Sequence, residues 1–193
     1  MARYLIRLAN RNRNSPADIH QLSSQIREIL GSTDKASHFR IATNAFEFNL
    51  FATNDKELDK DKRLLGQKGF EILSEKLLDT PPTEIAKPDA VKEAVELFNH
   101  ERFWESHEVL EQIWRSAKGA ERDTLQGVIL TAAAFVHYQK SEPDICLSVL
   151  RRARAKLIHL TRSELIDLQG LRANIDMILD SGHVQLFKIR TKS

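Results

Sequence analysis

An α+β protein in two parts is what the residue pattern predicts, and three observations lead there. Apolar residues recur at every second position in stretches of the first 52 residues. A proline-rich stretch, 79–88, then breaks the chain. Beyond it, apolar residues recur with the 3.6-residue period of helices.

The first strand is "RYLIRL", which sets Tyr4, Ile6 and Leu8 on one face and Arg3 and Arg7 on the other. Ser15-Pro16 opens a helical run whose Ile19, Leu22, Ile26 and Ile29 or Leu30 share a face, and Gly31 is placed to stop it. "HFRIAT" and "AFEFNLF" resume the alternation, with Phe46, Phe48 and Leu50 on one side and Thr43-Asn44 supplying a tight turn. A second helix is expected from Asp55, carrying Leu64, Leu65, Phe70, Leu73 and Leu77. The order β-α-β-β-α is one strand short of a ferredoxin-like antiparallel sheet with helices on one face.

After the prolines the pattern predicts an all-α helical bundle, with helices near 89–99, 102–117, 121–140, 143–160 and 163–181. Asp89 is the expected cap of the first, Pro143 suits the opening of the fourth, Ser163 precedes the fifth, and Gly182 ends it. The tail "HVQLFKIR" is short and apolar. The expectation is that it returns to the N-terminal sheet as the missing strand; the alternative is a loose extension. The domains are therefore 1–82, completed by 183–190, and 84–182.

Composition narrows the class. Hydrophobic residues make up 41% and charged residues 29%, and the net charge is +2, too small to announce a polyanionic partner. Cys146 is the single cysteine, so no internal disulfide and no multi-cysteine zinc site can form; it is expected to pack on the fourth helix. The N-terminus is too short in apolar run and too charged for a secretory signal, and no stretch is apolar enough to span a bilayer. The expectation is a cytoplasmic protein without a membrane partner.

Chemistry concentrates in "WESHEVLEQIW", 104–114. At about 100° per residue, with Phe103 at zero, the apolar arc runs through Leu110, Ser106, Ile113 and Val109. His107 falls about 40° and Glu111 about 80° from Phe103, on the border of that arc, with Trp104 and Glu108 just beyond. A tryptophan flank implies cover, so His107 and Glu111 are expected to be at least partly buried and to need partners. Arg115 is placed for an i,i+4 pair with Glu111. From the next helix, Gln126, Leu130, Ala133 and His137 share a face, while Gly127 and three alanines allow close approach. If the two helices turn back near Gly119, Gln126 lies level with Glu111. His137 is then offset from His107 by roughly 9 Å along the axis.

"LFNHERFWESHEVLEQIWR" followed by "R…LQG…AAAFVH" resembles an uncharacterised helical family, the domain of unknown function numbered 309, over roughly residues 90–160. Residues 1–82 carry no such resemblance. The matching positions are Asn99, His107, Glu108, Glu111, Trp114, Arg122, Gln126, Gly127 and His137. Family members carry the label of metal-dependent hydrolases, so the resemblance implies a divalent metal and hydrolytic chemistry.

Three readings follow. In the first, the helical part forms a His/Glu-lined pocket for a small ligand or peptide, with Asn99, Trp104, Trp114, Arg115, Arg122, Gln126 and His137 as binding residues. In the second, His107, Glu108 and Glu111 are catalytic in a metal-dependent hydrolase, with His107, Glu111 and His137 holding the ion. The segment shares its opening with the metalloprotease H-E-x-x-H but places Glu at the fifth position. In the third, the cluster is a buried polar network that fixes helix register. Nucleic acid is disfavoured: Arg3, Arg7, Arg11, Arg13, His38 and Arg40 could decorate a sheet, but the strands lack the aromatic signature of RNA-recognition sheets.

Overall fold

The computed structural model describes residues 1–80, 85–160, 163 and 165–192. The chain divides into two compact units: Met1–Pro81 with Gln139–Ser141, and Pro82–Tyr138 with Glu142–Ser193. The boundary expected at 82–84 lies outside the described residues.

The first unit contains β1 (Ala2–Ala9), α1 (Ile19–Leu30), β2 (Ala36–Ile41), β3 (Ala45–Ala52), α2 (Asp55–Gln67) and β4 (Ile72–Leu77). Its four strands form one antiparallel sheet in the order β2-β3-β1-β4. Period-two alternation fixes which face meets the helices. Ile6 lies opposite Phe48 and Leu8 opposite Phe46, and these side chains join Ile19, Leu22 and Ile26 of α1 and Leu58 and Leu65 of α2 in one core. Phe39 stacks on Phe46 and Phe48, with ring centroids 5.8 and 5.5 Å apart. Both helices thus cover the same face.

Ala36 shares that face with Phe39 and Ile41 although strict alternation forbids it. A bulge between Ser37 and Arg40, with His38 at φ 56°, supplies the extra residue that restores the phase. On the other face Glu47, 1% exposed, accepts from Arg7 Nε at 2.7 Å and Arg40 Nε at 3.3 Å. Arg11 pairs with Glu71, and Arg3 with Asp79. Asn10 Nδ2 donates to the carbonyls of Ala42 and Asn14, tying the β2–β3 turn to the end of β1.

Two expectations fail here for one reason. The second helix stops at Gln67 instead of running through Leu77, because the chain reverses at Gly69 (φ 85°) and Ile72–Leu77 is a strand. That strand occupies the sheet edge beside β1, so the tail 183–190 is not the missing strand. The tail instead contributes Ile189, 3% exposed, to the helical core.

The second unit contains α3 (Lys87–Asn99), α4 (Phe103–Trp114), α5 (Gly119–Gln139), α6 (Pro143–Leu157) and α7 (Leu168–Ser181). Pro143 opens α6 as expected, and Gly182 at φ 68° ends α7. Asp89 lies in the first turn of α3 rather than at its cap. The last helix starts five residues later than its expected 163, since Asp167 is the residue whose carboxylate accepts from Gly170 N–H. Phe98, Phe103 and Phe135 form the aromatic centre, with centroids 4.8 to 5.6 Å apart. Cys146 is fully buried on α6, and burial pushes its thiol up to about 12. No helix among the described residues is long and apolar enough to cross a membrane.

Gly127 lets α5 meet α6: a Cβ there would come within 2.5 Å of Leu157 Cγ. Gly127→Ala is therefore expected to lower stability by about 1–2 kcal/mol in urea unfolding, overpacking outweighing the gain in helix propensity.

At the start of α2, Glu57 accepts from Lys35 and from the Thr53 hydroxyl and N–H, which hold its carboxyl down at about 2 against an ordinary 4.5. Its stabilisation is present above pH 4.5 and lost as pH falls through about 2. Glu57→Gln should flatten the fall in melting temperature across that window in an acid titration.

Candidate metal centre

The register of α4 follows its apolar arc. Phe103, Ser106, Val109, Leu110 and Ile113 are all buried, and Ser106 Oγ donates to Ala94 O of α3 at 2.8 Å. With that face committed inward, the border residues emerge in the expected gradient. The side chain of His107 is 24% exposed, Glu111 39% and Glu108 47%.

His107 sits between two carboxylates. Its Nε2 lies 3.6 Å from Glu111 Oε1, and its Nδ1 lies 3.4 Å from Glu108 Oε1. Nδ1 is shielded from solvent and makes no hydrogen bond among the described residues. One ligand atom from each of the three residues can be chosen so that all lie within 4.8 Å of one another. One imidazole nitrogen and two carboxylate oxygens form a donor set suited to zinc or another first-row divalent ion. Bonds of about 2 Å would need the three atoms to close in by small side-chain rotations. The unsatisfied Nδ1 and the two converging negative charges both fit a cation.

The partners expected to close the cluster do not. Arg115 is exposed and makes no ion pair among the described residues, and Gln126, half-buried, makes no hydrogen bond among them. His137 is not part of the cluster. Its Nδ1 contacts Glu142 Oε2 at 2.5 Å, while Glu142 N–H donates to His137 O, which secures the end of α5. The third residue of the cluster is Glu108, from the same helix turn as His107.

Other residues singled out by resemblance have structural partners. Asn99 holds the main chain of Ile189 with both ends of its carboxamide. Arg122 stacks its guanidinium 3.9 Å from the Trp114 ring centroid and donates to Trp114 O, which also accepts from Ala117 N–H, and to Ala117 O at the end of α4. Trp104 and Trp114 are half-buried against the helical core.

Glu105 went unpredicted. It is 2% exposed and receives both Nε and Nη2 of Arg102, at 2.6 and 2.7 Å. The signal was available: at about 200° on the wheel it adjoins Val109, inside the buried arc. Two spaces in this unit do not reach the cluster. One of about 260 Å³ is lined by Val91, Thr124, Leu125 and Ile166 among others, and neither it nor the space beside Asn174 and Phe187 includes His107. The three side chains stand partly exposed along α4.

Together these features define an α+β protein whose helical unit presents a His/Glu cluster along one side of α4. Residues 91–149 match the family model described as "Domain of unknown function (DUF309)", a segment running from α3 into α6 and holding the whole cluster. The N-terminal unit lies outside that match. No curated protein matches the chain.

Proposed function

We propose that the helical unit binds a divalent metal ion through His107, Glu108 and Glu111, and that the ion recruits a small ligand or peptide at this edge of α4. The observation that carries the reading is the imidazole held between two carboxylates with its shielded Nδ1 unsatisfied. Arg115 and Gln126, the partners expected of a purely structural network, make no ion pair or hydrogen bond with the cluster among the described residues. Three protein donors leave coordination positions open, the pattern of metal sites that act on a ligand. That same openness favours metal-dependent hydrolysis as the second reading, in which the ion would polarise an oxygen of the bound molecule.

The element order β-α-β-β-α-β supports a ferredoxin-like plan for the N-terminal unit, as a domain separate from the helical one. A single, fully buried cysteine is in keeping with a cytoplasmic setting.

Titration of the purified 193-residue chain with zinc or manganese by calorimetry tests the reading. One equivalent is expected to bind. His107→Ala and Glu111→Gln should each weaken it at least tenfold, while Arg115→Ala and Gln126→Ala leave it unchanged. Protons compete with the ion for the imidazole and carboxylates, so affinity should fall as pH is lowered. A chain that takes up no divalent ion, or binds it equally well without His107, removes the proposal.

A further inference from the structure

The C-terminal tail, 182–190, has neither helix nor ladder, yet it is held on the helical unit by contacts of a particular kind. Asn99 Nδ2 donates to Ile189 O at 2.9 Å, and Ile189 N–H donates to Asn99 Oδ1 at 2.8 Å. A residue presents its own N–H and C=O to one side only when its backbone is extended, which is how paired strands exchange bonds. The Asn99 carboxamide thus stands in for a strand residue and reads main chain, not side chain.

Side-chain recognition accompanies it. Phe187 lies 5.6 Å from Phe98 and 5.3 Å from Phe135, entering the aromatic centre from outside. Ile189, two residues on, is 3% exposed, while Lys188 and Arg190 point to solvent. Main-chain bonds continue the grip: Asp167 N–H donates to Arg190 O, and Lys192 N–H to Leu165 O, with Ile166 and Thr191 bridged antiparallel. A space of about 410 Å³ remains between α7 and the tail, beside Asn174 and Lys188. The receiving residues Phe98, Asn99 and Phe135 all fall within 91–149, the segment that matches a family model, whereas the occupant lies outside it.

We infer that this groove is a binding site for an extended peptide with large apolar side chains two residues apart, filled in cis by the chain's own Phe187 and Ile189. This is β-strand addition with an asparagine as the docking edge, so main-chain bonds give affinity and the aromatic pocket gives selectivity. A covalently attached occupant acts at an effective concentration on the order of millimolar. The intact chain should therefore exclude a free competitor, and a freed groove should accept one.

The test uses the 193-residue chain with a protease recognition sequence inserted after Gly182, cleaved once folded. A fluorescent peptide of residues 183–192 is added and binding is read by anisotropy. The cleaved protein should bind one peptide saturably, and the uncleaved protein none. Peptides carrying Phe187→Ala or Ile189→Ala, and cleaved protein carrying Asn99→Ala, should bind at least tenfold more weakly. An intact chain carrying both Phe187→Ala and Ile189→Ala, its strap weakened but attached, should bind the native peptide where the wild type does not. If cleavage unfolds the protein, the native peptide should restore its circular dichroism and the altered peptides should not. Failure of the folded groove to take up peptide, uptake indifferent to Phe187 and Ile189, or no rescue of an unfolded cleaved chain each overturns the inference. None of these outcomes involves His107, so the metal reading stands or falls separately.

Discussion

The contact of Phe103 with Phe98 and Phe135 governs the helical unit. Rings from α3, α4 and α5 meet within 6 Å of one another, two of the pairs edge to face and one stacked. Phe103 is the first residue of α4, so pinning it sets the roll of that helix about its own axis. Once the roll is set, Leu110 and Ser106 must point inward and His107, Glu108 and Glu111 must come to the rim. The candidate centre is thus a consequence of aromatic packing one turn earlier. Arg122, closing the far end of α4 over Trp114, fixes the same helix from its other terminus.

The N-terminal unit solves a different problem. Both α1 and α2 cover one face of its sheet, and the residues of the other face include a buried acid between two arginines. Burying Glu47 alone would be prohibitive; Arg7 and Arg40 from neighbouring strands compensate it. Arg3, Arg7, Arg11 and Arg40, which look in sequence like part of a basic array for polyanions, are here engaged with carboxylates of their own unit.

What was legible in the residues follows from how local the determining physics is. Phe46, Phe48 and Leu50 announce their face because a strand has no other way to place alternate residues. The arc of α4 was legible for the same reason, with a different period. Leu64, Leu65, Phe70, Leu73 and Leu77 misled because five apolar residues can satisfy a helical spacing that Gly69 interrupts. The partners of the candidate site were less accessible still. Arg115 had the spacing to meet Glu111 but turns to solvent, a choice of rotamer that spacing does not encode. Asn99 finds its partner 90 residues away, a distance at which no local pattern speaks.

The strands at either margin of the sheet have a further consequence. A sheet margin offers unpaired amides to any passing strand. Here β2 is kinked by the irregular backbone at His38, and β4 alternates Leu73, Glu75 and Leu77 with Ser74 and Lys76, with Lys62 of α2 reaching Glu75. Both margins are poor templates, one by shape and the other by charge. Neither margin therefore offers a flat, uncharged ladder to an added strand.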